Sequence, residues 1–317
     1  MMDMLWAALG LVILVLAGDV LVRGAVNVSL RLGVPALIVS LTIVAIGTSA
    51  PELLISINAV RENAPGIAVG NVVGSNIANV LLVLGVPALL VGLGCPSSQS
   101  KGSYLQMLVG TALFVVFAVF APLTWIHGMA LLGMYLLFMG HAIYVARQAR
   151  RPTIGISNSD QDLEGADPGA PWWRIGIYLL LGMIGLPLGA DILVDSATNI
   201  ARQYSISETT IGLTLVAVGT SLPELATSIS AAFRKQADVA LGNVIGSNMA
   251  NLLGIIGVAT FFGDIPVDQR LLSFDLWVMV AASVFLIPFV FFRMRISRIW
   301  GLVFSTLYVV YIVSVLQ

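Results

Sequence analysis

Long apolar segments separated by short polar loops follow one another along almost the whole chain. Ten can be counted, each of roughly 20 residues, the length that an α-helix needs to cross the hydrocarbon core of a bilayer. Their approximate bounds are 4–26, 35–60, 66–92, 104–121, 125–147, 175–199, 208–233, 238–262, 272–292 and 299–316. The pattern predicts an all-α integral membrane protein with ten transmembrane helices.

The composition agrees with this prediction. Of the 317 residues, 58% are hydrophobic and only 10% are charged, whereas soluble domains carry about 25% charged residues. The net charge of −1 offers nothing to attract nucleic acid. The single cysteine, Cys95, excludes an intramolecular disulfide. We therefore expect the lipid bilayer to be the main partner of the chain.

One clearly polar stretch, 150–174, divides the chain into a first half at 1–149 and a second half at 175–317. It is rich in Pro, Gly, Ser and Asp, which is typical of a solvated connector. Twelve of the 15 Lys and Arg residues fall on the side of the membrane that holds this connector. Because basic loops stay inside, we expect the connector in the cytoplasm and both termini outside, in a plasma membrane.

The two halves contain the same two sequence blocks. VAIGTSAPELLISIN at 44–58 returns as VAVGTSLPELATSIS at 216–230, and GNVVGSNIANVLLVLG at 70–85 returns as GNVIGSNMANLLGIIG at 242–257. Every matched position is displaced by 172 residues. Each half holds five segments, an odd number, so the halves enter the bilayer from opposite sides. This predicts two inverted-topology five-helix repeats, a common plan of secondary transporters.

A glutamate occupies the middle of an apolar segment in each copy, Glu52 and Glu224. An ionisable group at that depth costs on the order of 2.5–3.5 kcal/mol, so it normally faces an ion, a partner or a cavity. A protonated Glu that merely packs the helices is the plainer alternative. The repetition of the same costly residue in the same setting favours the functional reading.

A proline stands directly before each glutamate, Pro51 and Pro223. Proline has no N–H and collides with the carbonyl four residues earlier, so we expect the second and seventh helices to be broken. The backbone at 45–48 and 217–220 should open there. Carbonyls freed at this depth are tolerated only inside protein or beside a cavity, and they are ligands for hard cations.

Hydroxyl and amide side chains surround the glutamates in both copies. They are Thr48, Ser49, Ser75 and Asn79 in the first copy, and Thr220, Ser221, Ser247 and Asn251 in the second. Singly, such residues often only join membrane helices. Together they give oxygen ligands without nitrogen or sulfur, which suits Ca²⁺ better than Zn²⁺ or copper. Two carboxylates balance one Ca²⁺, two Na⁺ or two protons.

These paired blocks, GTSxPE followed by GNxxGSNxxN in each half, resemble the alpha repeats of the sodium/calcium exchanger family, in the calcium/cation antiporter superfamily. The resemblance implies alternating access and exchange of Ca²⁺ for Na⁺, with both cations bound as substrates and no cofactor. It also implies sliding of the first and sixth helices past the core. Its ligand set, carried over by position, is Glu52, Glu224, Ser49, Ser75, Ser221, Ser247, Asn79 and backbone oxygens near Ala45, Thr48, Ala217 and Thr220.

The chain departs from some family members at one position. Potassium-dependent exchangers carry Asp where this chain has Asn251, so two acidic groups remain here and potassium coupling is disfavoured. Three Na⁺, as the family implies, would leave one positive charge uncompensated. The alternatives are a proton-coupled or K⁺-dependent exchanger, a cation channel with the same ligands, and an intramembrane hydrolase using Ser49 or Ser221. No His lies in the repeated blocks to activate either serine, and we expect no obligatory protein partner.

Overall fold

The protein is seen in a computed structural model that describes residues 2–97, 99–120, 122–148, 167, 169–204 and 217–316. Its secondary structure over these residues is helical, with two isolated β-bridges. The helices are α1 Met2–Leu32, α2 Ala36–Thr48, α3 Ala50–Arg61, α4 Pro65–Val91, α5 Ser100–Val119, α6 Trp125–Gln148, α7 Trp172–Gln203, α8 Ala217–Gly219, α9 Leu222–Phe233, α10 Ala237–Ala259, α11 Leu271–Phe291 and α12 Arg298–Leu316.

Eight of the described helices are long and apolar enough to cross a membrane, and the bent pair α2 and α3 makes a ninth. The predicted segments and these helices agree closely in position. The predicted segment 208–233 is described only from residue 217 onward, and most of the connector 150–174 lies outside the described residues. The all-helical membrane architecture is therefore confirmed, with eight to nine spans in the part of the chain that is described.

The second predicted span is broken, as the proline before Glu52 suggested. Helices α2 and α3 meet at an angle of 44°, and Ser49 between them has φ −87° and ψ 6°. The prediction that the backbone opens at 45–48 and 217–220 is wrong over Ala45–Thr48 and Ala217–Gly219, which stay helical. Proline removes an N–H and crowds the turn before it, and here the break falls at Ser49.

Helices α1 and α7 lie side by side and run antiparallel. Asp3 at the start of α1 accepts a hydrogen bond from Gln203 at the end of α7, at 2.9 Å. At the other end, Arg31 donates to the carbonyl of Ala170, just before α7. Small residues allow the close approach: a Cβ added to Gly10 would lie 2.9 Å from the carbonyl oxygen of Gly189.

An ion pair ties α1 to the end of α9. Asp19 pairs with Arg23 at 3.0 Å, as expected for an i,i+4 pair. It also accepts a 2.7 Å hydrogen bond from Nε of Arg234, 215 residues further along the chain. Asp19 thus joins α1 to the end of α9.

The centre of the molecule is formed by α4 and α10. In the apolar window of α10, 94% of the residues are buried, and 78% in that of α4, against at most 39% in the other spans that are described. Gly242 and Gly246 let α10 press against α2, since an added Cβ would lie 2.7 Å and 2.4 Å from the carbonyls of Leu37 and Leu41. These two glycines therefore allow the close approach of α10 to α2.

The two copies share local backbone features at matching positions. Helices α3 and α9 both end in a turn whose central residue is left-handed, Asn63 with φ 59° and Lys235 with φ 57°. Both central helices contain a wider π-type turn, shown by the 2.9 Å bond from the Val83 amide to the Ala78 carbonyl and by the π-helical run Ala250–Ile255. Such turns often mark functional positions in helices.

Candidate cation site

Glu52 and Glu224 occupy the first turns of α3 and α9. Each is only 1% exposed, and each has one carboxylate oxygen, Oε2, that is buried without a hydrogen-bond partner. The free N–H groups at a helix start favour a negative charge nearby. Both helices thus begin with a buried carboxylate that keeps one oxygen available.

The breaks before the two glutamates have the same geometry. Ser221 has φ −90° and ψ 2°, within a few degrees of Ser49. In both copies the following helix starts from the serine carbonyl, which accepts the amide of Leu53 at 3.3 Å and that of Leu225 at 3.0 Å. The repeated proline therefore produces the same local structure twice, and each break brings a Ser and a Glu within one turn.

The predicted ligand residues of the two copies come together across the molecule. Ser49 of the first copy donates to Oε1 of Glu224 at 3.3 Å. Ser75 and Thr220 share a hydroxyl contact at 3.5 Å, and Thr48 lies 3.5 Å from the hydroxyl of Ser247. All these contacts join positions more than 140 residues apart. Predicted ligand residues of the two halves therefore contact one another in the buried interior.

The backbone ligand candidates are in different situations. The carbonyl of Ala45 accepts the amide of Ser49 at 3.0 Å and the hydroxyl of Thr48 at 3.3 Å. A cation at that oxygen would have to displace the Thr48 hydroxyl. Ala217 begins α8, and its side chain lies outside the described residues. The role of both carbonyls stays a prediction.

Sequence reasoning missed three buried asparagines that line the same region, namely Asn76, Asn243 and Asn248. Asn251 donates to Oδ1 of Asn76 at 3.1 Å, and Asn79 donates to Oδ1 of Asn248 at 3.0 Å. Asn243 accepts from Thr48 at 3.4 Å. All three belong to the repeated blocks, and Asn76 and Asn248 are themselves 172 positions apart. That recurrence was the available signal.

The buried atoms left without partners explain what the site can bind. They include Oε2 of both glutamates, Oδ1 of Asn79, Oδ1 of Asn251 and Oγ of Ser221. Every one is an oxygen that can accept, and a buried acceptor without a partner costs about 1–3 kcal/mol. Hard cations are bound by 6–8 oxygen ligands, which is the kind of atom left without a partner here. The donor set fits Ca²⁺ or Na⁺ as cargo.

Groups that would suit softer metals do not converge in the part of the chain that is described. No cluster of three or more His, Cys, Asp or Glu side chains is present among those residues. The two histidines bond elsewhere, His127 with Thr124 and His141 with Gln106. Neither histidine contacts Ser49 or Ser221 in the part of the chain that is described, so no imidazole base serves these serines there.

The buried oxygen site in a multi-span helical protein is that of a membrane cation transporter. A family model described as sodium/calcium exchanger protein matches residues 2–144 and 175–317. The chain belongs to the sodium/calcium exchanger family, whose members are transporters and not enzymes.

Individual relatives match over nearly the whole chain. The sodium/calcium exchanger MaX1 of Methanosarcina acetivorans is 35% identical over 340 residues, covering 96% of each chain. The inner membrane protein YrbG of Escherichia coli strain K12 is 34% identical over 279 residues, covering 87% of this chain and 84% of its own. A solved structure of the sodium-calcium exchanger NCX_Mj, soaked with 2.5 mM Na⁺ and 0.1 mM Ca²⁺, superposes with a TM-score of 0.84 at 32% identity, covering 99% of this chain and 98% of that chain.

Proposed function

We propose that this protein is a secondary antiporter that exchanges Ca²⁺ for Na⁺ through one shared site, exposed alternately to the two sides of the membrane. The observation that carries the proposal is the set of buried, partnerless oxygens contributed by both copies, headed by Glu52 and Glu224. Ca²⁺ and Na⁺ compete for these oxygens, and no cofactor is needed for the exchange.

The architecture that goes with this function has ten transmembrane helices in two inverted halves, 1–149 and 175–317, joined by the connector 150–174. Three observations support it: the constant offset of 172 residues, the antiparallel packing of α1 and α7, and the matching breaks at Ser49 and Ser221. The predicted seventh segment, 208–233, is described only from residue 217 onward.

The proposed location is the plasma membrane, with both termini outside and the connector in the cytoplasm. The count of basic residues on the two sides, twelve against three, supports this orientation. The contact of Arg234 with Asp19, four residues from Arg23, agrees with the count because it brings two of the basic loop ends to the same side.

The test is Ca²⁺ uptake into proteoliposomes driven by an outward Na⁺ gradient. Glu52→Gln and Glu224→Gln keep the shape of each side chain but remove its charge, so we expect either change to abolish uptake. Asp264→Asn is the matched control, because Asp264 is an exposed acid outside the site and its loss should leave uptake unchanged. Normal uptake by either glutamate variant would refute the shared site.

A channel built from the same ligands predicts a different result. Channel flux does not require an ion on the opposite side, whereas exchange saturates and stops without the counter-ion. Measuring Ca²⁺ efflux into Na⁺-free medium separates the two. Efflux that continues at the full rate without external Na⁺, K⁺ or a proton gradient would identify a channel.

A further inference from the structure

Four asparagines form a symmetrical crossing between α4 and α10. Asn251 donates through Nδ2 to Oδ1 of Asn76 at 3.1 Å, and Asn79 donates through Nδ2 to Oδ1 of Asn248 at 3.0 Å. All four side chains are at most 1% exposed. Each bond joins one half of the chain to the other, and the offset of 172 residues converts one bond into its counterpart.

This crossing fixes which end of the amides of Asn79 and Asn251 is hydrogen-bonded and which end is left free. A primary amide has a donor end and an acceptor end. The donor ends of Asn79 and Asn251 are used by Asn248 and Asn76, and their Oδ1 atoms are buried without a partner. An amide turned the other way would present its NH₂ group to the cation and repel it.

We propose that Asn76 and Asn248 are positioning residues, which hold the amide oxygens of Asn251 and Asn79 toward the bound cation. The inference rests on the proposed function, in which Asn79 and Asn251 are ligands. Asn76 and Asn248 do not bind the cation themselves, and they act by removing the rotational choice of the two residues that do.

The orienting residues are fixed to different degrees. Nδ2 of Asn76 donates to the backbone carbonyl of Asn248 at 3.3 Å. Because a carbonyl cannot donate, a flipped Asn76 would set two acceptor oxygens against each other. Nδ2 of Asn248 faces only the sulfur of Met107, at 3.9 Å, and a thioether is a weak acceptor. Asn76 is therefore the more firmly oriented residue, and its loss should have the larger effect.

The consequence concerns ion selectivity as well as affinity. Ca²⁺ gathers about 6–8 oxygens in its coordination shell, and two carboxylates supply only part of them. Loss of an oriented amide oxygen should weaken Ca²⁺ binding more than Na⁺ binding, since the divalent ion depends more strongly on a complete shell. The ratio of the two affinities should shift toward Na⁺.

The test is a double-mutant cycle on equilibrium Ca²⁺ binding to the purified full-length protein. Asn76→Leu should weaken Ca²⁺ binding about tenfold, and should add nothing further in an Asn251→Ala background, because the residue it orients is gone. In an Asn79→Ala background the full loss should remain, since Asn79 is oriented by Asn248. Asn248→Leu should show the reverse dependence on the two backgrounds, with a smaller loss.

Ser40→Ala is the control for a purely structural effect. Ser40 is fully buried, and its hydroxyl bonds the carbonyl of Val239 in the other half at 2.6 Å, outside the ligand set. Its loss should change the thermal midpoint and leave Ca²⁺ affinity unaltered. Asn76→Ala replaces Asn76→Leu if the leucine variant fails to fold.

Losses that add equally in both backgrounds, or Ca²⁺ affinity that is unchanged in Asn76→Leu and Asn76→Ala, would overturn the inference. Measuring Na⁺-driven Ca²⁺ uptake distinguishes failure of the positioning inference from failure of the proposed antiport function. If wild-type protein exchanges and Glu52→Gln does not, the function stands whatever the asparagines show. If wild-type protein binds Ca²⁺ without exchanging it, the cycle still decides the positioning role.

Discussion

The two glutamate-bearing helices, α3 and α9, match in sequence and in backbone but differ in what covers them. Helix α9 is packed against α1, where a Cβ on Gly18 would lie 2.9 Å from the carbonyl oxygen of Ala226. Helix α3 has no comparable packing against α7, although both are described in full. Leu54, the counterpart of Ala226, is 63% exposed. The contact of α1 with α9 around Gly18 and Ala226, here called the seal, covers α9, and α7 does not cover α3 in the same way.

This difference is what alternating access requires of two equivalent halves. If α1 and α7 slide past the core, which is the motion that the family resemblance implies, covering α3 would uncover α9. The described conformation has α1 seated on α9, at the end that carries Arg234. On the orientation we propose, this end faces the cytoplasm.

Charge should make the packing of α1 on α9 more favourable in energy than the equivalent packing of α7 on α3. At the sealed end, Asp19 pairs with Arg23 and Arg234. The positions equivalent to these three are Asp191, Asp195 and Glu62, all acidic. Seating α7 on α3 in the same way would bring like charges together where the present seal brings opposite ones. We therefore expect the state with α1 seated on α9 to be favoured when no cation is bound.

The largest expected effect on exchange comes from placing a large side chain in the contact between α1 and α9. In Gly18→Leu the new side chain meets the backbone of Ala226, which cannot rotate away, so α1 cannot seat on α9. We expect the exchange rate to fall by more than about tenfold, since overpacking costs of the order of 1–3 kcal/mol even where neighbours adjust. Val15→Leu is the control, because Val15 is 53% exposed on the same helix. An unchanged exchange rate in Gly18→Leu would show that the seal plays no part in transport.

A paired labelling experiment measures the difference between the two ends directly. Ser230 is buried under α1, while its counterpart Asn58 is exposed. In a Cys95→Ala background, Ser230→Cys should react with a maleimide much more slowly than Asn58→Cys. Equal labelling rates at the two positions would contradict the difference in covering between α9 and α3.

Breaking the ion pair should reduce that difference. Asp19→Asn removes a half-buried pair worth about 1–2 kcal/mol, so labelling of Ser230→Cys should accelerate about fivefold or more. Asp3→Asn removes an exposed contact between α1 and α7 and should leave the rate unchanged. No acceleration in Asp19→Asn would mean that the pair does not hold the seal.

The smallest expected effect comes from supplying, at position 62, the cation that would pair with Asp191 as Arg234 pairs with Asp19. Glu62→Arg places a cation at the position equivalent to Arg234, beside the expected location of Asp191 in the alternative state. Labelling of Asn58→Cys should slow about twofold to threefold, because an exposed ion pair contributes at most about 1 kcal/mol. Glu62→Gln removes the like charge without adding a cation, and should give a smaller change in the same direction. Faster labelling in Glu62→Arg would contradict the electrostatic account.

Much of this architecture could be predicted because membrane insertion leaves a direct record in the sequence. Long apolar runs gave the spans to within a few residues, and the prolines gave the break beside Glu52. The duplication singled out the residues that now line one buried region, from Ser49 to Asn251. What the pattern could not supply was the partner of each residue. Ser49 meets Glu224 and not the glutamate on its own helix.

The contacts that the sequence did not predict escaped prediction for one physical reason. Asn76 and Asn248 act through other side chains, and Arg234 meets an aspartate 215 positions earlier. Contacts of this kind depend on how helices from the two halves cross, which spacing along one helix does not reveal. The sequence also could not predict that α1 covers α9 while α7 leaves α3 uncovered. Two nearly identical sequence blocks differ in this packing only in the assembled fold.

The central claim is that Na⁺ and Ca²⁺ exchange at one site whose formal charge comes from two glutamates. The most direct test is Ca²⁺ flux from proteoliposomes under separate gradients of Na⁺, K⁺ and H⁺. We expect the Na⁺ gradient alone to drive Ca²⁺ flux, the flux to reverse with that gradient, and Glu52→Gln to abolish it. Equal Ca²⁺ flux driven by K⁺ or H⁺ in the absence of Na⁺ would contradict the account.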